Sequence, residues 1–204
     1  MYDCMLEYVK CFFSDTGQPK SKFDSKYPFR DKYEHCRRVY TWAMRINKYE
    51  HGNEKIIAVS AIFHDIGKAF SEDMSHAEIS ADICERYLKN VDIVNSEKEA
   101  ILRAIKVHPY KDDPTLKLSL EEMILMDADL LDEIGVLTAV WDSMATAQEK
   151  NPSYIKVFER ASKYYNKVCS KKVNLKTETG KNFYNQRLQV LNDFILNLKY
   201  ELGI

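Results

Sequence analysis

Residues 53–68 read NEKIIAVSAIFHDIGK, and this stretch decides the fold. Asn53 is a favourable helix N-cap, and the apolar residues after it fall on most sides of a helix, which predicts a central, buried helix. We expect this helix to end around His64 and Asp65, with Gly67 in position to adopt a left-handed stop. The predicted central helix therefore ends in two polar side chains that need partners.

The chain on either side of this stretch shows helical periodicity nearly everywhere. Ser75 and the glutamate three residues after it form a predicted capping box that opens a helix. The other predicted helices cover residues 2–13, 31–50, 96–108, 119–130, 136–147, 153–170 and 178–202, with a kink near Gly135 and irregular segments at 14–30 and 109–117. Six glycines and five prolines are few for this length and argue against a sandwich or barrel with many tight turns. The sequence therefore predicts an all-α protein.

The composition and charge are those of one globular domain. Hydrophobic residues make up 45% of the chain and charged residues 30%, which lets 204 residues bury a core, so we expect a single helical domain over residues 1–204. The formal net charge is −1 without a basic stripe, which argues against stable nucleic-acid binding. A small anionic substrate needs only a metal and one or two cations, so this charge does not exclude phosphate chemistry.

The cysteines and the N-terminus indicate the compartment. The five cysteines are an odd number and form no C-x-x-C motif, which suits a reducing compartment better than a disulfide framework. Charged residues interrupt the first ten positions, so we expect no signal peptide, and no apolar stretch is long enough to cross a bilayer. We therefore expect a cytoplasmic protein that does not bind membranes.

Four of the five histidines occur where a helix should be apolar. A single histidine in such a place is usually a core residue with a hydrogen-bond partner. Burying several imidazoles without partners would cost free energy at each one, whereas a shared metal ion would satisfy them together. The four histidines are His35, His64, His76 and His108.

Four aspartates lie on or near predicted apolar helix faces. Asp65 directly follows a histidine where a helix ends, so the two side chains can converge on one ion; the alternative is that Asp65 only stabilises the turn. Asp127 and Asp129 interrupt an apolar helix, and Asp129 lies three residues after Met126, which places it on the core side. Asp132 is predicted either to orient a ligand or contact substrate, or to be a solvated acid.

These residues resemble the HD-domain metal-dependent phosphohydrolase superfamily. The matching pieces, in order, are HCRRV (35–39), IFHDIGK (62–68), SHAEISA (75–81), AIKVH (104–108) and DADLLDEIG (127–135). The last piece looks like a small bacterial branch of predicted hydrolases. The resemblance covers about residues 31–145 and implies an HD core there, followed by a C-terminal helical extension over residues 146–204.

The resemblance implies a metal centre. His35, His64, Asp65 and Asp129 would be the ligands of a divalent ion, which would be manganese, iron, zinc, magnesium, cobalt or nickel. Such an ion would lower the pKa of a bound water and polarise a phosphoryl oxygen, and Asp65 would also handle the proton of the water.

The resemblance also implies substrate contacts. Lys68 would meet a substrate phosphate as a point charge, although an exposed loop lysine is the alternative. His76 and His108 match positions that bind a second ion in some members and that contact phosphate or act as a general acid in others; we prefer the second role, and both stay open. Arg38, one turn after the first ligand, would reach phosphate, with a structural ion pair as the alternative.

The function implied is hydrolysis of a phosphoester or phosphoanhydride bond in a small phosphorylated substrate, preferably a nucleotide. Related small bacterial members suggest release of pyrophosphate from nucleoside triphosphates or of phosphate from monophosphates. The alternatives are a phosphodiesterase acting on cyclic nucleotides or RNA ends, a non-catalytic nucleotide-binding sensor and a metal-free structural bundle. The chain lacks H-D-x-x-E-D and Gly-Tyr-Pro, so the alarmone and cyclic-dinucleotide branches are not indicated. A homodimer is an open option.

Overall fold

The computed structural model describes residues 1–16, 31–132, 134–171 and 173–204. Within these residues the chain forms nine α helices and no strand, which confirms the all-α prediction. The chain divides into two compact units, Met1–Asp129 and Leu130–Ile204. The predicted division into a core over 31–145 and an extension over 146–204 stays a prediction. The predicted irregular segment 14–30 begins later than expected, because the first helix continues to Asp15, and its remainder from residue 17 lies outside the described residues.

The α helices of the first unit begin and end within two residues of the predicted bounds; no end was predicted for the helix after Ser75, and the short 3-10 helix was not predicted. The helices are α1 (Tyr2–Asp15), α2 (Lys32–Glu50), α3 (Glu54–Phe63), a short 3-10 helix (Ile66–Ala69), α4 (His76–Leu88), α5 (Asn95–Val107) and α6 (Leu120–Asp132), whose last three residues belong to the second unit.

Helix α3 is the centre of the first unit, as predicted. The Asn53 side chain accepts hydrogen bonds from the backbone N–H groups of Lys55 and Ile56, and every residue from Ile57 to Phe63 is buried. Apolar side chains of this size contribute about 1.5–3 kcal/mol each when fully buried. The core cluster around α3 also includes Met5, Val9, Cys36, Ile83, Ile101 and Ile105 from its neighbours.

Gly67 does not adopt the predicted left-handed conformation. It lies in the 3-10 helix, and the positive φ angles among the described glycines occur elsewhere. A Cβ atom at this position would lie 2.2 Å from the backbone oxygen of His76 and 2.8 Å from the backbone nitrogen of Ser80. The Gly67 N–H also donates to Ser80 Oγ at 2.8 Å. Glycine is therefore required because the start of α4 packs directly against this turn.

The predicted capping box at Ser75 is also wrong. Ser75 has helical dihedral angles and its side chain makes no capping bond to α4. Its hydroxyl donates instead to Asp73 Oδ1, which also accepts from the Ser71 hydroxyl and the Ser75 N–H. These hydrogen bonds from Ser75 and Ser71 lower the pKa of Asp73 to about 2. The Asp73 carboxylate, and not a serine cap, therefore organises the turn before α4.

The second unit contains α7 (Val136–Ala147), α8 (Tyr154–Ser170) and α9 (Glu178–Leu202). The predicted kink near Gly135 is a complete break between α6 and α7, because Gly135 has a φ of 106° and leaves the helical region. Arg187 of α9 closes over this break, and its Nε donates to the Ile134 carbonyl at 2.8 Å. None of the described helices has the length and apolar character needed to cross a membrane.

Candidate metal centre

Three helices bring together the four residues that the resemblance assigned to a metal. His35 Nε2 lies 3.3 Å from His64 Nε2, 3.3 Å from Asp65 Oδ2 and 3.2 Å from Asp129 Oδ1. His64 Nε2 lies 3.6 Å from Asp65 Oδ2 and 3.9 Å from Asp129 Oδ1. Ligand atoms that share one ion at bonds of about 2.0–2.2 Å are expected at such separations.

The end of α3 explains how two adjacent residues reach the same point. His64 still has helical dihedral angles (φ −53°, ψ −37°), whereas Asp65 leaves the helix at φ −111°, ψ 5°. On a continuing helix the two side chains would diverge by about 100°. The predicted convergence of the pair at a helix end is therefore seen in the structure.

Three histidines are oriented by the same kind of hydrogen bond. The Nδ1 atoms of His64, His76 and His108 lie 2.8, 2.6 and 2.6 Å from the carbonyl oxygen of the residue three positions earlier. A carbonyl only accepts, so each Nδ1 carries a proton, and Nε2 is the ring nitrogen turned toward the cluster. His64 and His108 are the C-caps of α3 and α5, where the last carbonyls have no partner in the helix. Burial lowers the pKa of His64 to about 3, which keeps this imidazole neutral.

His76 and His108 lie on the other side of Asp65. Their Nε2 atoms are 3.3 Å apart, and they lie 3.2 Å and 3.5 Å from Asp65 Oδ1. Asp65 therefore stands between two histidine pairs, with Oδ2 facing His35 and His64. Both predicted roles, ligands of a second ion or substrate contacts, are compatible with this position.

Two lysines contact the carboxylates of the cluster. Lys68 Nζ lies 2.6 Å from Asp65 Oδ2, and Lys111 Nζ lies 2.5 Å from Asp129 Oδ2. Burial alone would raise the pKa of Asp65, but the nearby histidines outweigh it and hold that pKa well below its usual value. Burial likewise acts against ionisation of Asp129, and Lys111 and His35 outweigh it to hold its pKa well below the usual range. Both carboxylates are therefore ionised.

Lys111 was missed by the sequence analysis. It lies in the segment assigned as an irregular loop, where no helical periodicity indicates which way a side chain points. The available signal was its position three residues after His108, itself a predicted site residue.

The positions of Arg38 and Asp132 do not assign either residue a role in the site. Arg38 is partly exposed on α2, one turn after His35. Asp132 is the last residue of α6 and belongs to the second unit. Their predicted contacts with substrate stay predictions.

The cluster has the chemistry of a divalent cation site. Asp65 is buried, and neither of its oxygens receives a well-formed hydrogen bond, although the Lys68 ammonium lies close to Oδ2. Among the described residues, candidate ligand atoms form two sets, and within each set the atoms lie within 4.8 Å of one another. The sets are His35, His64 and Asp129, and His64, Asp65 and His108. Neutral imidazoles and carboxylates are ordinary ligands of divalent ions, so the residues present fit such an ion.

Comparison with known proteins decides the family. The family model for the HD domain matches residues 33–134, which is half of the chain. The chain belongs to the HD-domain family. The HD protein is thus a member of the metal-dependent phosphohydrolase superfamily, as the ordered motifs predicted.

Curated relatives match the HD protein over its core only. Ribonuclease Y of Sulfurovum sp. (strain NBC37-1) is 35% identical over 82 residues, and ribonuclease Y of Campylobacter hominis is 34% identical over 82 residues. These matches cover 39% of the HD protein, which spans about 14% of the length of each relative.

Solved structures share the fold over nearly the whole chain. A predicted HD superfamily hydrolase from an uncultured Thermotogales bacterium has a TM-score of 0.66 at 23% identity, covering 98% of the HD protein and 91% of that chain. An HD-superfamily hydrolase from Bacillus thuringiensis has a TM-score of 0.65 at 19% identity, covering 99% and 96%. YpgQ from Bacillus subtilis has a TM-score of 0.61 at 16% identity, covering 98% and 94%. At these identities the likeness concerns the fold.

Proposed function

We propose that the HD protein hydrolyses a phosphoester or phosphoanhydride bond in a small phosphorylated substrate, and that this substrate is a nucleotide. Hydrolysis is supported by one observation: His35 Nε2 lies 3.2–3.3 Å from ligand atoms of His64, Asp65 and Asp129. The nucleotide part is supported by the resemblance to small bacterial members of the family.

We assign His35, His64, Asp65 and Asp129 as the residues that would hold a divalent ion. When bound, such an ion lowers the pKa of a water molecule and polarises a phosphoryl oxygen. The chain supplies two ionised carboxylates for it, and at least one imidazole is held neutral with its Nε2 lone pair available. The identity of the ion is one of manganese, iron, zinc, magnesium, cobalt or nickel, and His76 and His108 would complete the site of a second ion if one binds.

The remaining residues of the site have proposed roles in proton transfer and phosphate binding. Asp65, between the two histidine pairs, is the proposed acceptor of the proton of the attacking water. A proton on Nε2 of His76 or His108 would be stabilised by Asp65 Oδ1, at 3.2 Å and 3.5 Å, and could pass to the leaving oxygen. Lys68 would bind a substrate phosphate as a cation. Burial acts to lower the pKa of Lys68, but the charge of Asp65 outweighs burial and raises that pKa.

A second candidate function is cleavage of a phosphodiester in cyclic nucleotides or at RNA ends. The 35% identity to a ribonuclease Y over 82 residues favours it. The net charge of −1 favours a small substrate instead. A non-catalytic sensor is not favoured, because all four candidate ligands are present and lie together.

A substrate panel tests the proposal. Purified protein is assayed with several divalent metals on nitrophenyl phosphate, bis(nitrophenyl) phosphate and nucleoside mono- and triphosphates. We expect metal-dependent turnover that Asp65→Ala removes and that Asp92→Ala, an exposed aspartate outside the site, leaves unchanged. Robust nucleotide hydrolysis by Asp65→Ala would refute the role of that residue, and nucleotide binding without any turnover would favour the sensor.

Location and assembly are also proposals. The five cysteines are all free thiols, which suits the proposed reducing, cytoplasmic compartment. The proposed homodimer can be tested by sedimentation.

A further inference from the structure

The loop that carries Lys111 is tied down at its far end. Arg103 of α5 forms an ion pair with the buried Glu122 of α6. The Nη2 atom of Arg103 also donates a hydrogen bond to the Lys117 carbonyl at 3.0 Å. The Ser119 N–H donates to Glu122 Oε2 at 2.8 Å. The near end of the loop begins at His108, inside the cluster. The loop is therefore anchored at His108 on one side of Lys111 and at the Arg103–Glu122 pair on the other. These anchors position Lys111 together with its own ion pair.

Lys111 shares a carboxylate with the candidate metal ligands. Its Nζ lies 2.5 Å from Asp129 Oδ2, while Asp129 Oδ1 lies 3.2 Å from His35 Nε2. The ammonium group therefore lies just outside the ring of ligand atoms, at a distance where it can contact a group bound to the same ion.

The exposure of the cluster is uneven, and this defines the side from which substrate arrives. The side chains of His64 and Asp65 are 0% and 2% exposed, and those of His76 and His108 are 7% and 3% exposed. His35, Asp129, Lys68 and Lys111 are 16%, 14%, 24% and 21% exposed. An incoming phosphate therefore meets the side of the cluster that carries both lysines.

The charges at this side favour a dianion. The carboxylates of Asp65 and Asp129 are balanced by the ammonium groups of Lys68 and Lys111. Counted over these four side chains, one divalent ion would leave two positive charges in excess, which matches a terminal phosphate at neutral pH and not a singly charged diester. Without Lys111 the excess would be one charge, which matches a diester.

We infer that Lys111 is a substrate-binding residue that contacts the non-bridging oxygens of a terminal phosphate and makes the site prefer phosphomonoesters and terminal phosphates of nucleotides to phosphodiesters. The inference rests on the proposed hydrolytic function, which it deepens by naming the class of substrate.

Kinetics on matched mono- and diesters test this role. With Mn²⁺ as the metal, Lys111→Met should lower kcat/KM for nitrophenyl phosphate by about tenfold or more, as loss of a charged hydrogen bond does, and that for bis(nitrophenyl) phosphate by less than about threefold. Lys111→Arg should keep most of the preference because it keeps the charge. The control is Lys117→Met, which removes an exposed lysine from the same loop and should behave like wild type.

Calorimetry gives a readout that does not depend on turnover. Inorganic phosphate should bind the Mn²⁺-loaded Lys111→Met protein about tenfold more weakly than wild type. Lys111→Gln is the second neutral variant if Lys111→Met does not fold, as judged by circular dichroism.

Several outcomes would overturn the inference. Equal losses on both esters, or unchanged phosphate binding, would show that Lys111 does not contact the terminal phosphate. Tighter Mn²⁺ binding by Lys111→Met with an unchanged ester preference would show that Lys111 is only a counter-ion of Asp129. If wild type hydrolyses neither these esters nor nucleoside mono- and triphosphates, the proposed function fails, but the phosphate titration still decides whether Lys111 binds phosphate.

Discussion

The Nε2 atoms of His35 and His64 lie 3.3 Å apart, although the two residues are 29 positions apart in the chain. The Nδ1 atom of His64 is engaged by the Ala61 carbonyl, so its Nε2 faces His35 with a lone pair. One buried and one half-buried imidazole and two ionised carboxylates that meet in this way repel or remain unsatisfied unless cations lie among them. The lysines supply part of this charge, and we propose that a divalent ion supplies the rest.

Metal binding should stabilise the folded protein. A ligand that binds only the folded state at about 100 times its dissociation constant adds about 2.7 kcal/mol. For 150–250 residues this corresponds to a rise of about 5–10 °C in the melting temperature. Differential scanning calorimetry of chelated and Mn²⁺-loaded protein measures it. An unchanged melting temperature in both samples would favour the metal-free structural bundle.

Gly67→Ala should destabilise the first unit. Its Cβ would lie 2.2 Å from the His76 oxygen, so α4 must move, and overpacking of this kind costs about 1–3 kcal/mol or more. Urea unfolding followed by circular dichroism measures the change. Ser80→Ala is the matched control, since it removes only the hydrogen bond to Gly67 and should cost about 1 kcal/mol. A Gly67→Ala variant as stable as wild type would contradict the tight packing of α4 on this turn.

The cysteines should divide into two classes. Cys4, Cys11 and Cys169 are exposed, whereas Cys36 and Cys84 are buried. A thiol reagent should therefore modify three cysteines in the native protein and all five after unfolding. Rapid reaction of all five under native conditions would contradict the burial of Cys36 and Cys84.

Stability should fall in alkaline solution because of the buried thiols. Burial raises the pKa of Cys84 well above its usual value of 9.0, so above pH 9 the unfolded chain loses a proton that the folded chain keeps. The unfolded state is then favoured as pH rises, by up to about 1.4 kcal/mol per pH unit for one such group. Urea titrations between pH 8 and pH 10 measure the slope, and Cys84→Ala should reduce it. An equal slope in the variant would exclude Cys84 as the cause.

The fold was predictable from apolar periodicity, and the four candidate ligands, which the structure brings together, were named from the family resemblance. Apolar spacing located α3, and a polar pair at its end indicated that His64 and Asp65 converge. Asp129 was chosen over Asp127 by its spacing from Met126, and it is the one that lies 3.2 Å from His35.

Features that depend on long-range contacts were not predictable. The position of Gly67 after α3 indicated a left-handed helix stop, but the close packing of α4 on this turn is the reason for the glycine. Ser75 matched a capping box, but Asp73 competes for its hydroxyl. Lys111 lies in a loop, where only the fold shows that it reaches Asp129.

The most direct test of the shared metal centre is elemental analysis of proteins loaded with one divalent metal and desalted. His35→Ala and Asp129→Ala change ligands on helices other than the one that ends in His64 and Asp65. We expect at least one equivalent of metal in wild type and in Asp92→Ala, and its loss in both ligand variants. A wild-type metal content in either ligand variant would contradict a centre built from these three helices.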